Sequence, residues 1–330
     1  MNGPPHPPRT PRPHPAAWWR LLLATLAFVL WAHPSLVGLP CAALLLIAPA
    51  NADQPGATRA PQPLAGLIGA LSFGLLILTA VDGRLGAVMS AYIVLVTAAF
   101  ASLLLLRPAS MLKQSFRSIL LGGLATAVLV QIVWGTDGWG AISWEVTRDA
   151  SYSMRWLVKL SPPQWIDAMY ATYEPMVRFV SLTWPGMLAL QSLAGLALAW
   201  QLHLRLTSLP LGAPLARFKD FAIGDGWVWG IVAWIAVLIL PVSGVLQMMG
   251  TNLGLVAGTL YVLRGAAIVV AFAEAFGIST VALLIMTAAA AALAVPLIFV
   301  LPGLCTLGIT DTWYQYRRRL AAAREGTKTT

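Results

Sequence analysis

Between Trp18 and Leu304 the chain is a succession of apolar runs, several of which approach or exceed the ~18 residues needed to span a bilayer. The stretch LGAVMSAYIVLVTAAFASLLLL, residues 85–106, carries no charge at all. In hydrocarbon every backbone N–H and C=O must be bonded within the protein, so such runs are helices unless the chain closes into a barrel. A barrel would show short segments of alternating polarity, and none is evident. Of the 330 residues, 58% are hydrophobic and 10% are charged, against about 25% charged in soluble domains. The fold class that follows is all-α: a polytopic transmembrane helix bundle with about eight to ten membrane segments.

The expected organisation is a proline-rich tail over 1–17, one helical membrane domain over 18–310 and a basic tail over 311–330. Segments are expected near 18–33, 36–50, 64–81, 85–106, 117–135, 180–204, 227–249 and 252–275, the last two joined over Gly250-Thr251. The run 279–304 poses a parity problem. One crossing would put Arg317, Arg318 and Arg319 outside, whereas Pro296 and Pro302 allow two short pieces that enter and return. A rival reading of the start is a cleaved signal peptide ending at Ala50-Asn51-Ala52. It would leave Arg107, Lys113 and Arg117 outside, against the tendency of basic loops to stay in the cytoplasm.

Lysine and arginine number 21 against 12 acids, a net charge of +9. These basic residues gather in the tails and in two short loops, which is the positive-inside pattern with a cytoplasmic N-terminus. They are too few and too scattered for a nucleic-acid surface. The expected location is the bacterial cytoplasmic (inner) membrane. The polar stretch 136–178 holds five acids and four bases and is expected as an outer loop. Its Trp139, Trp144, Tyr152, Trp156, Trp165, Tyr170 and Tyr173 fit an interfacial helix with an aromatic belt, or a lid over a cavity.

Cys41 and Cys305 form no disulfide framework, and no histidine or cysteine motif suggests a metal. No nucleophile elbow, phosphate loop or dinucleotide fingerprint stands in a suitable context. The chain is therefore expected not to be an enzyme and to need no cofactor.

The most pointed feature is Arg264, in the apolar run NLGLVAGTLYVLRGAAIVVAFAEA. With about a dozen residues on either side it is too deep to snorkel. A guanidinium at mid-bilayer costs at least ~2.5–3.5 kcal/mol, so it must face protein, water or a ligand. Glu274, the only acid inside an apolar run, lies ten residues on, and the two cannot pair within one straight helix. The sequence therefore leaves two arrangements open: neutral partners such as Gln131, Gln191 or Gln247, or a cavity holding an anionic ligand. Candidate ligand-binding residues are Arg264, Asn252, Gln131 and Gln191. Asn252 also suits a helix cap. Glu274 reads as interfacial, or as a proton- or ion-coupling group. Gly250, Gly254, Gly258 and Gly265 share one helix face, the small-residue surface that lets membrane helices approach closely.

Three stretches of the C-terminal half carry a family resemblance: an aromatic entry from Phe218 to Trp229, LYVLRG (260–265) and LGITDTWYQYRRRL (307–320). In the last, Thr310 or Asp311 suits a cap for a short helix with a basic end. Over roughly 215–320 the chain resembles the YybS-like family of predicted bacterial membrane proteins (domain of unknown function 2232). That family is similar in layout to the substrate-binding S components of energy-coupling-factor transporters. The resemblance implies a membrane subunit that binds a small solute and recruits a partner protein. The AxxxA docking patch of S components is missing, since Ala24 is followed four on by Phe28 and Ala27 by Trp31. The reading is an inner-membrane protein that binds or transports a small solute, its partners being the lipid bilayer, the solute and a further subunit. The other reading is a non-transporting scaffold or regulator of envelope processes.

Overall fold

The structure is a computed structural model that describes residues 16–47, 62–81, 83–106, 110–207, 211–212, 214–240, 244–279, 282 and 297–326. Most of the N-terminal tail, the Ala50-Asn51-Ala52 site, Arg107, Pro296 and most of the 279–296 run lie outside the described residues. Among the described residues all regular structure is helical, in keeping with the all-α expectation. The α-helices are α1 (Ala16–Val29), α2 (Ser35–Ile47), α3 (Gln62–Ala80), α4 (Arg84–Leu106), α5 (Met111–Leu160), α6 (Ile166–Leu206), α7 (Val228–Ile239), α8 (Val245–Ala275), α9 (Leu297–Tyr314) and α10 (Tyr316–Gly326). Five of them, α3, α4, α5, α6 and α8, are long and apolar enough to cross a membrane, and shorter apolar helices accompany them. This is the architecture of a multi-pass membrane protein.

By its internal contacts the chain divides into two compact units. The first comprises residues up to Glu145 and Gln191–Pro214. Here α2 packs on α3 and α4. Small residues set how closely: a Cβ at Gly195 would lie 2.8 Å from the Leu36 carbonyl oxygen, and one at Gly122 would lie 2.8 Å from the backbone of Val96. Ser35 Oγ donates to the Ser72 carbonyl at 2.8 Å, a neutral tie between buried backbones. Glu145 accepts from the backbone N–H groups of Arg84 and Leu85, at 3.3 and 2.7 Å. That places a carboxylate on the free amides at the start of α4, where the helix dipole favours it.

Helix boundaries differ from the expected ones at two places. The segments expected near 117–135 and 180–204 are longer, because α5 runs on to Leu160 and α6 begins at Ile166, which makes most of the stretch 136–178 helical. Only a short turn with a 3₁₀ piece at Pro163–Trp165 separates them. Gly135, at φ 61°, interrupts the helical backbone of α5 and marks where the apolar run ends. Beyond it come Asp137, Glu145, Arg148, Asp149, Arg155 and Lys159, too many charges for hydrocarbon. Likewise, the α7–α8 connection is not at Gly250-Thr251. Leu240 is already extended (φ −80°, ψ 144°) and α8 starts at Val245, after Gly244 at φ 63°. The sequence places Pro241 next to Leu240, and a residue before proline is pushed out of the helical region.

The second unit comprises Val146–Leu190 and Leu215–Thr330. Its centre is α8, flanked by α7 and α9. A Cβ at Gly254 would overlap the Trp234 ring of α7, and Gly250 packs on Val237. A Cβ at Gly265 would overlap the Leu304 carbonyl of α9, and one at Gly308 would overlap the Tyr261 carbonyl. The backbones of α8 and α9 therefore touch at one glycine from each helix. Gly258 has nothing within 4 Å of a Cβ, so the expected four-glycine face divides among two partners and one open position.

Candidate functional site

The α8–α9 contact places Arg264, beside Gly265, against Asp311, one turn beyond Gly308. Arg264 Nε donates to Asp311 Oδ2 at 3.0 Å, with side-chain exposures of 7% and 4%. Arg264 Nη1 donates to Thr312 Oγ1 at 3.3 Å and to Asp225 Oδ1 at 3.4 Å. This corrects the expectation that no carboxylate waits at the depth of Arg264. The acid sits in the stretch read as a basic tail, 47 positions away. Asp311 also serves the α9–α10 joint, where Gln315 has φ 50°. Its Oδ1 accepts from the Tyr316 N–H at 2.9 Å. The capping role expected of Asp311 is thus met at the first residue of α10, while Thr310 Oγ1 returns to the Thr306 and Leu307 carbonyls of its own helix.

Arg317 completes the cluster. Its Nη2 donates to Asp311 Oδ2 at 3.3 Å, and its Nη1 donates to the Lys219 and Phe221 carbonyls at 3.0 and 2.9 Å. The segment 215–227, with 3₁₀ turns at Phe218–Asp220 and Asp225–Trp227, is thereby strapped to the α10 junction. Lys219 pairs with Glu274 near the end of α8. Glu274 is consequently a half-buried ion-pair partner.

The depth of Arg264 changes with the longer helix. From Val245 to Arg264 there are about twenty residues, which alone span ~30 Å of hydrocarbon. The charges of Lys219, Asp225, Glu274, Asp311 and Arg317 all gather with Arg264 toward the C-terminal part of α8. A helix so arranged can leave Arg264 at the edge of the apolar layer rather than at its centre.

Beside the cluster is a cavity of about 370 Å³, lined by Asp220, Asp225, Arg264, Asp311, Thr312 and Arg318 among others. Its volume is within the range of small-ligand sites. Arg264 Nη2 takes no hydrogen-bond partner among the described residues and is not sealed from solvent. Among the described residues the Arg318 side chain bonds only to the neutral Gln315 amide, at 3.1 Å. Asp225 is largely exposed, with a side-chain accessibility of 71%.

The other candidates have different surroundings. Asn252 is the eighth residue of α8 and caps nothing. Its Nδ2 donates to the Leu182 carbonyl at 2.8 Å and its Oδ1 accepts from the Gly186 N–H at 2.5 Å. Those two groups form one i→i−4 rung of α6, beside the in-helix Pro185. The Asn252 amide bridges the rung, the kind of side-chain insertion seen at proline-containing helices. Gln131 and Gln191 belong to the first unit. Gln131 accepts from Trp139 Nε1 at 3.2 Å and Gln191 donates to the Trp31 carbonyl at 3.3 Å. Gln247 lies in the first turn of α8, far along the helix from Arg264. None of the three serves the arginine. The cluster around Arg264 also includes Asp225, Asp311, Thr312, Arg317 and Arg318, none of which the sequence put forward as a ligand-binding candidate.

Set against family models, curated proteins and solved structures, the chain finds no match in any of the three.

Proposed function

We propose that this multi-pass membrane protein binds a small polar solute in the cavity beside Arg264. One observation carries the reading: a buried guanidinium, fixed by Asp311 and Thr312 and with no partner for Nη2 among the described residues, lines a cavity of about 370 Å³. A preorganised donor loses little freedom when it binds, which favours a ligand group over bulk water. The YybS-like resemblance and the solute-binding role it implies point the same way, because LYVLRG and LGITDTWYQYRRRL supply Arg264, Asp311, Arg317 and Arg318. An inner-membrane location, a cytoplasmic N-terminus and a partner subunit belong to the same proposal.

The second reading, a non-transporting scaffold or regulator, is favoured by the Arg264–Asp311 pair itself, which gives the arginine a structural task without any ligand. A thermal-shift screen of the detergent-solubilised full chain decides between them. Binding raises the unfolding midpoint by mass action. A solute that shifts wild type but not Arg318→Gln supports the cavity. If no solute in a broad screen of vitamins, nucleotides, amino acids and headgroup analogues shifts the midpoint, the scaffold reading takes its place.

A further inference from the structure

The charges around the cavity specify more than a site for an anion. Arg264, Arg317 and Arg318 line it together with Asp220, Asp225 and Asp311. Most of these are committed to one another. Asp311 is held by Arg264 and Arg317, and Asp220 by Arg217 at 3.3 Å. Two features of opposite sign are left over. The positive one is Arg264 Nη2 with Arg318, whose side chain bonds, among the described residues, to a neutral amide alone. The negative one is Asp225, mostly exposed and touching Arg264 Nη1 through a single long contact at 3.4 Å. Since Nη1 and Nη2 share one guanidinium, Asp225 and Arg264 Nη2 are only a few ångströms apart, and Arg318 lines the same cavity.

Resting on the solute-binding reading above, we propose that the cavity takes a zwitterion, with its anionic group on Arg264 Nη2 and Arg318 and its primary ammonium on Asp225. A bare anion would meet three carboxylates on entering, and a bare cation would meet three guanidinium groups. Like charges in a partly desolvated site repel strongly. A molecule that carries both signs satisfies both leftovers at once. The ammonium is expected to be primary because Asp225 accepts N–H donors, which a trimethylated nitrogen lacks. Two sources offer this chemistry: a free solute such as an amino acid or phosphoethanolamine, and an aminophospholipid headgroup.

The test measures the unfolding midpoint of the full chain in an uncharged detergent. The probes are phosphoethanolamine, phosphocholine, inorganic phosphate, ethanolamine and a panel of amino acids at equal concentration. The expected result is a rise with at least one primary-ammonium zwitterion, and little or none with phosphate, ethanolamine or phosphocholine. Asp225→Asn is expected to remove that preference, so that phosphate shifts the midpoint at least as far as the zwitterion. Asp225 is exposed, and its substitution leaves the Arg264–Asp311 pair in place. A parallel arm compares nanodiscs of phosphatidylethanolamine with nanodiscs of phosphatidylcholine. A rise in the ethanolamine lipid alone, lost in Asp225→Asn, assigns the zwitterion to a lipid. If phosphate or another non-zwitterionic solute shifts wild type as far as any zwitterion, and Arg318→Gln abolishes the shift, the zwitterion is overturned while solute binding stands. If no probe, no lipid and no solute of the broad screen acts, both fail.

Discussion

Arg264 and Asp311 are joined by a 3.0 Å charge-assisted hydrogen bond between two helices whose backbones touch at Gly265 and Gly308. A buried pair of this kind contributes little net stability when intact, yet removing one partner leaves the other charge buried. Arg264→Leu is therefore expected to destabilise the protein by ~3–5 kcal/mol. Arg317 still faces Asp311, which should keep the loss near the lower end of that range. The double variant Arg264→Leu/Asp311→Leu should recover much of the loss. Unfolding of wild type, both single variants and the double variant in detergent gives the coupling energy directly. A double variant as unstable as the sum of the singles would show that the pair is not coupled.

The glycines on either side of that pair differ in a way that can be measured. A Cβ at Gly265 would overlap the Leu304 carbonyl, which belongs to backbone and cannot swing aside. Gly265→Ala should cost ~1–3 kcal/mol as α8 and α9 are forced apart. Gly258 has open space at its Cβ. Gly258→Ala should be neutral or stabilise by ~0.5–1 kcal/mol, because alanine has the better helix propensity. Equal effects of the two substitutions on the unfolding midpoint would contradict this packing.

The helices were legible because apolar length alone dictates them in lipid. Their ends were less so. Gly250-Thr251 resembles a turn, but Pro241 is the residue that disrupts a helix, through its effect on Leu240. The polar second half of α5 reads as a separate outer piece, an interfacial helix or a lid, because charge excludes it from hydrocarbon, and nothing in the sequence says that it continues the preceding helix. Asp311 escaped notice for a different reason. It follows an apolar run and looks like part of a solvated tail, and only the folded contact between α8 and α9 makes it a neighbour of Arg264. The signal that was present is paired: Arg264 adjoins a glycine, and Asp311 stands one turn after another. Two small residues on two helices mark a close crossing, and charges beside each of them meet there.

Asn252 offers a test independent of the charged cluster. Its amide bonds the Leu182 carbonyl and the Gly186 N–H of α6. Asn252→Leu removes both bonds from a rung next to Pro185 and should cost ~1–2 kcal/mol, the scale of interhelical side-chain bonds in membranes. Asn252→Gln keeps the chemistry but displaces the amide by one methylene, and should fall between leucine and wild type. A leucine variant that unfolds with wild type would show that the rung is closed without the amide.

His33 gives the protein a pH dependence with a definite sign. It occupies the turn between α1 and α2, outside both helices. Its Nδ1 accepts from the Ser35 N–H at 3.2 Å, at the start of α2. Burial lowers its pKa below the ordinary 6.5, because desolvation disfavours the imidazolium. The acceptor role points the same way, since a protonated Nδ1 has no lone pair to offer. In the unfolded chain the ring protonates near its ordinary value, while the folded chain still holds it neutral. The unfolded state then binds more protons, and stability falls as pH drops below about 6.5 toward the lower folded pKa. Above that range the contribution is fully present. Unfolding midpoints of wild type between pH 8 and pH 5 should decline on the acid side, and His33→Asn should decline less steeply. Because α2 packs on α3 and α4, the protection of α2 amides, after correction for the intrinsic pH dependence of exchange, should fall with the same pH profile. An identical acid slope in the two proteins would assign the pH dependence to other groups.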